Sequence, residues 1–255
     1  MSTPEREDVQ IFNDLVNQIN GIVELSNKKP NQVPMRVKRL SRETESVRNK
    51  LGEHFYFILK GIIAGFENKV DGVHYFFSSA LEIEPSTQAY TQYIKTLINC
   101  SENTAAYELA CSVYERDGTI PEIYALIGES AMQSGLLKTG LEWLQRYEKS
   151  TKSAHRFREQ LENYLSYMPN IDENALSEYM NSAILFMRER GVKPIEQSFN
   201  SMLAEDDMLE VFFYTNFSVE ESTQAFYDFV TSDYILNISD EILDHVTINF
   251  IPYAR

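Results

Sequence analysis

The middle of the chain contains a repeat of about 34 residues, and this repeat limits the fold more than any other feature. Similar patterns of small, aromatic and aliphatic residues begin at residues 54 and 121, and a degenerate repeat, one residue short, begins between them at residue 88. A period of this length indicates that one short unit of secondary structure is stacked on copies of itself. The 255-residue chain has only 10 glycines and 8 prolines, which argues against a turn-rich β protein. We therefore expect the repeats to be built from helices.

The small and aromatic residues of the repeat have a mechanical role in helix packing. Small residues let two helices approach closely, aromatic residues fill the space between turns, and a proline ends the second helix. In residues 54–87 these positions are held by Phe57, Gly61, Phe77, Ala80 and Pro85. In the stretch that begins at Pro121 they are held by Tyr124, Gly128, Ala131, Gly140 and Leu144. Asn68 is predicted to lie in the turn between two helices, where its tolerance of a left-handed backbone is useful.

With these residues the chain resembles the tetratricopeptide repeat family over residues 54–150. The resemblance implies a right-handed stack of helix pairs with a peptide-binding groove lined by the first helix of each pair. The groove positions that we select as candidate partner-binding residues are Phe55, Ile58, Ile62, Phe66, Gln92, Thr96, Asn99, Glu122, Glu129 and Gln133. None of them is Lys or Arg, so the basic clamp of some family members is missing and an apolar or basic ligand is expected. In an alternative arrangement, the N-terminal helices cover Phe55, Ile58, Ile62 and Phe66.

The remaining segments are predicted from their periodicity and from helix start and stop signals. Two helices, 5–26 and one that begins near Pro34 and continues to residue 51, precede the repeats. The first has a stripe of Val9, Phe12, Val16, Ile19 and Val23. A helix pair, 153–167 and 173–190, follows them and could cap the array, with Asp172 as N-cap and Gly191 as C-cap. We expect four segments: 1–52, 53–150, 151–193 and 194–255.

The last segment changes character and is predicted to be a small α/β appendage. Residues 209–215 are rich in β-branched and aromatic residues and predict a strand, although a continuous helix over 206–215 is the alternative. The sequence Ser218-Val-Glu-Glu is a capping-box pattern and predicts a helix to residue 230. Residues 245–251 alternate polar and apolar side chains and predict a second strand. The fold class is therefore mainly α, a solenoid of helical hairpins with a βαβ-like C-terminal addition.

Charge is distributed unevenly along the chain, whose formal net charge is −15. Residues 28–50 contain eight Lys/Arg and two Glu, and residues 195–255 contain twelve Asp/Glu and one Arg. Such asymmetry bears on association rather than on fold. The acidic side chains that we expect to face a basic partner are Glu205, Asp206, Asp207, Glu220, Glu221, Asp240, Glu241 and Asp244.

Motifs of catalysis and of cofactor binding are missing from the sequence. It contains no phosphate-binding glycine loop and no nucleophile elbow, and the four histidines are far apart without metal-ligand spacing. We therefore expect no enzyme activity, no cofactor and no metal. The basic stretch 36–42 lacks interleaved aromatic residues, so nucleic acid is not the expected partner. Two cysteines, the lack of a signal core and the lack of a long apolar run predict a cytoplasmic protein with no membrane span.

Three functions remain as hypotheses. The first is a non-catalytic interaction module, an adaptor or partner-specific chaperone, that binds protein through the repeat groove. The second is an acidic inhibitor or immunity-type protein that masks a basic, nucleic-acid-binding surface of its target. The third is a regulator that contacts nucleic acid through residues 36–50. Salt dependence separates the first two, because an apolar groove is nearly indifferent to salt and an acidic mimic is sensitive to it.

Overall fold

The structure, a computed structural model, describes residues 7–28, 32–168, 170–192, 196–202 and 208–252. These residues form twelve α-helices and one three-stranded sheet, so the protein is mainly α with a small α/β segment at the C-terminal end. The chain divides into two compact units, residues 1–100 and 101–255, which we call the first and second unit. The boundary falls inside the segment 53–150 that was predicted to hold the repeats. A continuous stack of three repeats therefore stays a prediction.

The first unit begins with two helices, α1 (Glu7–Lys28) and α2 (Val33–Ser46). Helix α2 buries Val37, Leu40 and Thr44, and it ends at Ser46, earlier than the predicted residue 51. The predicted stripe of α1 is partly wrong: the buried residues are Phe12, Leu15, Ile19 and Ile22. Val23 is 42% exposed, because the buried stripe follows a three–four–three spacing and leaves Val23 beside it rather than within it.

The segment that was predicted to hold the repeats contains six successive helices. The helices are α3 (Glu53–Phe66), α4 (Val70–Ile83), α5 (Thr87–Asn99), α6 (Asn103–Arg116), α7 (Pro121–Gln133) and α8 (Leu137–Thr151). Helices α3, α5 and α7 start at residues 53, 87 and 121, within one residue of the predicted repeat starts at 54, 88 and 121. In the first unit, α3 packs against α4, and α5 packs against both.

Two hairpins, α3–α4 in the first unit and α7–α8 in the second, each depend on one small residue. A β-carbon added at Gly61 would lie 2.6 Å from the ring of Phe77, and one added at Gly128 would lie 2.5 Å from Leu144 Cδ2. No real Cβ tolerates such distances, so these glycines let α3 approach α4 and α7 approach α8. Asn68 connects α3 to α4 with φ of 56°, which confirms the predicted left-handed turn.

After α8 the second unit departs from the repeat. Helix α9 (Arg158–Tyr167) starts later than the predicted residue 153, and α10 (Glu173–Glu189) begins where it was expected. The Asp172 side chain accepts hydrogen bonds from the backbone N–H groups of Asn174 and Ala175, and Gly191 has φ of 68°, so both predicted caps are confirmed. The helices do not form the expected hairpin. Instead α9 packs on α8, while α10 packs on the C-terminal elements.

The C-terminal segment contains three strands in the order β1-β2-β3: β1 (Glu196–Met202), β2 (Met208–Thr215) and β3 (Val246–Pro252). The last two were predicted, and they pair in parallel, with Val211 opposite Ile248. The connection between them contains α11 (Val219–Val230), a 3₁₀ turn at Asp233–Ile235 and α12 (Asp240–His245). The predicted βαβ arrangement is therefore confirmed. Strand β1, which pairs antiparallel to β2, was not predicted.

The core of the C-terminal segment is aromatic and fixes how its elements pack. The rings of Phe186 on α10, Phe229 on α11 and Phe250 on β3 form a triangle with centroid separations of 5.2, 5.6 and 5.7 Å. All three are at most 4% exposed. Burial of three aromatic side chains at one point holds the sheet and both helices together. The outer surface of α11 is consequently presented on a rigid support.

Candidate functional site

The groove positions of the first repeat are largely internal to the first unit. Ile58 and Ile62 are 0% and 6% exposed, and Phe55 and Phe66 are half-buried. Phe12 of α1 packs on Phe55 with ring centroids 4.6 Å apart. The N-terminal helices therefore cover this part of α3, which was the alternative that the sequence left open. The apolar side chains of the first repeat do not form an open groove in this structure.

The remaining groove positions of the first unit lie on α5. Thr96 is 4% exposed and its hydroxyl donates a hydrogen bond to the backbone oxygen of Gln92 at 2.7 Å. Its methyl group faces Gly65, where an added β-carbon would lie 2.4 Å from Thr96 Cγ2. Thr96 is thus a packing residue between α5 and α3. Gln92 is half-buried and Asn99 is exposed.

The groove positions of the third repeat lie in the second unit, and one of them is occupied from within the chain. The His155 side chain is 10% exposed, and its Nε2 lies 3.1 Å from Glu129 Oε1. The backbone N–H of Phe157 donates to His155 Nδ1 at 3.4 Å, so Nε2 carries the proton that is donated to Glu129. Glu122 is exposed and Gln133 is half-buried. The Glu129 carboxylate therefore already contacts His155 of the same chain.

Three of the exposed large apolar side chains of the C-terminal segment lie on α11. Val219, Thr223, Tyr227 and Val230 are three or four residues apart and form one row along the helix. Val219 is 67% exposed, Tyr227 59% and Val230 38%. The opposite part of the helix buries Ser222, Ala225 and Phe229. We call this row, Val219, Thr223, Tyr227 and Val230, the α11 apolar row.

Polar and acidic side chains run beside the α11 apolar row. Glu220, Gln224 and Asp228 are four residues apart and form the neighbouring row on the same helix. Asp228 is held by Arg190 at 3.3 Å and by Gln224 at 2.7 Å. Glu220 is exposed and makes no ion pair with any residue that the structure describes. An apolar stripe with a negative flank is thus presented to solvent.

The other predicted acidic residues have different roles. The carboxylate of Glu221 accepts the Ser218 N–H at 2.7 Å, and the Ser218 hydroxyl accepts the Glu221 N–H at 3.2 Å, which confirms the capping box. Asp240, Glu241 and Asp244 are exposed on α12, and no ion pair within the described residues involves them. Glu205, Asp206 and Asp207 lie outside the described residues.

The division into units sharpens the charge asymmetry. Residues 1–100 contain 12 Lys/Arg and 12 Asp/Glu, so they are formally neutral. Residues 101–255 contain the other 11 Lys/Arg and 26 Asp/Glu, a net charge of −15. Residues 208–252 contain eight Asp/Glu and no Lys or Arg. The negative potential of the molecule therefore originates in the second unit and includes the surface around α11.

The α11 apolar row was missed by sequence reasoning, which selected only the acids of this helix. The spacing of Val219, Thr223, Tyr227 and Val230 was a readable signal, because the helix carries two apolar stripes and can bury only one. One is anchored by Ala225 and Phe229, which are 4% and 0% exposed. The other is left at the surface.

Two negative findings complete the description of the site. Within the described part of the chain, no three His, Cys, Asp or Glu side chains come together as metal ligands would. None of the described helices combines the length and the hydropathy that a membrane span requires.

Comparison with models of known families, with curated proteins and with solved structures gave no match.

Proposed function

We propose that the protein is a non-catalytic interaction module that binds a positively charged protein segment on α11. The observation that carries this proposal is the α11 apolar row beside Glu220, an exposed carboxylate that makes no ion pair with any described residue. Aligned exposed apolar side chains, rather than single ones, indicate a contact surface. Apolar burial would supply affinity, and the carboxylates would select a basic partner and accelerate its association.

The geometry of α11 suits a partner helix better than an extended strand. The row repeats every three or four residues, which is the spacing that a helix laid alongside it would match. The partner segment would place aliphatic or aromatic side chains against Val219 and Tyr227. It would place Lys or Arg beside Glu220. The aromatic core beneath α11 keeps the helix rigid, so binding would cost little ordering of the backbone.

Affinity capture with matched variants tests this function. Immobilised protein is exposed to extract from the native cell, and the bound proteins are identified by mass spectrometry. Val219→Ser/Tyr227→Ser should lose the specific partner. Tyr75→Ser is the control, because Tyr75 is a comparably exposed tyrosine at 64% but lies in the first unit. A partner that is retained by the α11 variant and lost by the control would show that the partner does not bind on α11.

We also propose that the helix pairs form a tetratricopeptide-like array. Its support is that Gly61 faces Phe77 and Gly128 faces Leu144, the same two positions of the repeat in two separate hairpins. A cytoplasmic location is part of the proposal and is supported by the two cysteines, Cys100 and Cys111, which do not form a disulfide with each other. The buried state of Ile58 and Ile62 is the reason that we favour α11 over the repeat groove as the partner surface.

A second candidate function is an acidic inhibitor that covers a basic, nucleic-acid-binding surface of a target. The net charge of −15 within residues 101–255 favours it, because a surface of this kind competes with a polyanion. The two functions differ in their response to salt. Binding by the α11 apolar row should persist when salt is raised, whereas a charge mimic should lose most of its affinity. Competition between the protein and DNA for the captured partner distinguishes them directly.

A further inference from the structure

The first unit contains a cleft that neither the packing of the helices nor the proposed function explains. It lies between α1 and α2, has a volume of about 320 Å³ and is lined by Gln18, Gly21, Ile22, Arg36 and Arg39. Ile22 is 4% exposed and forms an apolar floor. A volume of this size accommodates a small molecule. The cleft therefore combines an apolar base with two cationic side chains.

The two arginines are close in sequence, and no carboxylate that the structure describes forms an ion pair with either of them. Arg36 and Arg39 are three residues apart on α2, which places them on neighbouring turns of the same face. No ion pair among the described residues involves either of them, although both are exposed. The nearest carboxylate in sequence, Glu43, accepts a hydrogen bond from Gln18 Nε2 at 3.0 Å instead. Two guanidinium groups beside one cleft repel each other unless an anion lies between them.

Gly21 provides an independent indication that the cleft is kept open. It lies inside the 22-residue helix α1, where a glycine is less stable than alanine by about 0.5–1 kcal/mol. Its conformation does not require glycine, because its φ is not positive. Packing does not require it either, since a β-carbon at this position would meet nothing within 4 Å. Gly21 lines the cleft, and a side chain at this position would occupy part of the cleft volume.

We propose that the cleft binds a small phosphorylated molecule, with its phosphoryl group between Arg36 and Arg39. Guanidinium groups match the oxygens of phosphate through paired N–H donors, and they bind it more strongly than neutral donors do. The uncharged part of the ligand rests on Ile22 and occupies the space beside Gly21. This site is independent of the α11 surface, because it belongs to the other unit and uses the opposite charge.

The test is isothermal titration of the full-length protein with adenosine monophosphate, pyrophosphate and citrate. Arg36→Gln/Arg39→Gln should weaken binding of the phosphate compounds by about tenfold or more. The control is Lys38→Gln/Arg42→Gln, which removes the same charge from the same helix outside the cleft and should change affinity by less than about twofold. An equal loss of affinity in both variants would overturn the proposed site, because it would show diffuse attraction of the phosphate compounds to the basic helix.

A second variant separates a ligand site from a structural role. Gly21→Leu should raise the melting temperature, because leucine is the better helix former and nothing within 4 Å opposes its β-carbon. The same variant should abolish binding of adenosine monophosphate, because the side chain fills the cleft. Unchanged binding in Gly21→Leu would overturn the proposal. So would the lack of any heat of binding at about 1 mM phosphate compound, or binding of citrate as tight as that of pyrophosphate.

Discussion

Gly128 of α7 lies directly against Leu144 of α8, so closely that a β-carbon added at Gly128 would be 2.5 Å from Leu144 Cδ2. The carbonyl oxygen of Gly140 would be 3.2 Å from the same added atom, so backbone as well as side chain opposes it. We predict that Gly128→Leu overpacks this contact and lowers the free energy of unfolding by about 1–3 kcal/mol. A lower urea midpoint measures the loss.

The control for this prediction is Gly21→Ala. Gly21 is also a glycine within a helix, but a β-carbon there meets nothing within 4 Å. The alanine variant should therefore gain about 0.5–1 kcal/mol, since only helix propensity changes. A Gly128→Leu variant with the wild-type midpoint would show that α7 and α8 do not pack as described.

His54 connects the end of one hairpin of the first unit to the start of α5. Its Nδ1–H donates to the Ala80 carbonyl at 3.0 Å, and its Nε2 accepts from the Ser86 hydroxyl at 3.0 Å. Ser86 in turn is the N-cap of α5 and accepts from the Ala89 N–H at 3.1 Å. We predict that His54→Ala and Ser86→Ala are each destabilising by about 1 kcal/mol or more. Their coupling energy in a double-mutant cycle should be about 0.5–1.5 kcal/mol.

The matched control pairs His54→Ala with Ser79→Ala. The Ser79 hydroxyl donates to the Tyr75 carbonyl of its own helix, makes no other hydrogen bond within the described residues, and is half-buried. Its effect should add to that of His54 within about 0.3–0.5 kcal/mol. If the effects of His54→Ala and Ser86→Ala on stability were also additive, the two residues would not share a hydrogen-bond network.

Glu45 gives the first unit a predictable sensitivity to acid. The Lys60 ammonium donates to its Oε1 at 2.7 Å, and this bond lowers the pKa of Glu45 below 4.5, against an opposing effect of burial. The Tyr56 hydroxyl also donates to it, at 3.0 Å. Because the folded-state pKa is below the unfolded one, the stabilisation is complete above pH 4.5 and is lost as pH falls through the folded pKa.

We therefore predict that Glu45→Gln is less stable than wild type at pH 7 and equally stable at low pH. The side chain of Glu45 is 44% exposed, so solvent screening limits the difference to below about 1 kcal/mol. Urea unfolding at both pH values measures it. Glu84→Gln is the control, because Glu84 is exposed and has no ion pair within the described residues. A difference between Glu45→Gln and wild type that is the same at both pH values would contradict the assignment.

The hairpins and their caps could be predicted from sequence because their signals are local. Gly61 and Phe77 are sixteen residues apart, and the repeat pattern itself places a small residue at one position and a large residue at the other. Ser218 and Glu221 are three apart and fix the start of α11 without help from the rest of the fold. Requirements between residues this close in sequence depend less on the rest of the fold than contacts between distant segments do.

Features that depend on distant partners could not be predicted. Strand β1 has the sequence Glu-Gln-Ser-Phe-Asn-Ser-Met, which is polar for a strand, and it forms by pairing with β2. Val23 was assigned to the buried stripe of α1, but Ile22 is buried instead, because the helices that pack on α1 decide which side of it is covered. The burial of Ile58 similarly depends on packing that a repeat pattern does not specify. The candidate site moved from the groove to α11 for this reason.

The acidic surface of the second unit should govern the rate of partner binding. Glu220, Glu241 and Asp244 are exposed, and no ion pair within the described residues holds them. We predict that Glu220→Gln/Glu241→Gln/Asp244→Asn slows association with the captured partner by about three- to tenfold at low salt. The effect should shrink as ionic strength rises, because the Debye length falls to about 8 Å at 0.15 M. The dissociation rate should change less, since the α11 apolar row remains intact.

The control neutralises three exposed carboxylates of the first unit: Glu53→Gln/Glu82→Gln/Glu84→Gln. It removes the same charge, and Glu53 lies in the first turn of α3 as Glu220 lies in the first turn of α11. Stopped-flow association rates over a range of salt concentrations compare the two triple variants. Because steering depends on where the charge lies as well as on its total, only the second-unit variant should be slowed strongly. Equal slowing would mean that net charge alone drives association, and the acids beside α11 would then have no specific role in recognition.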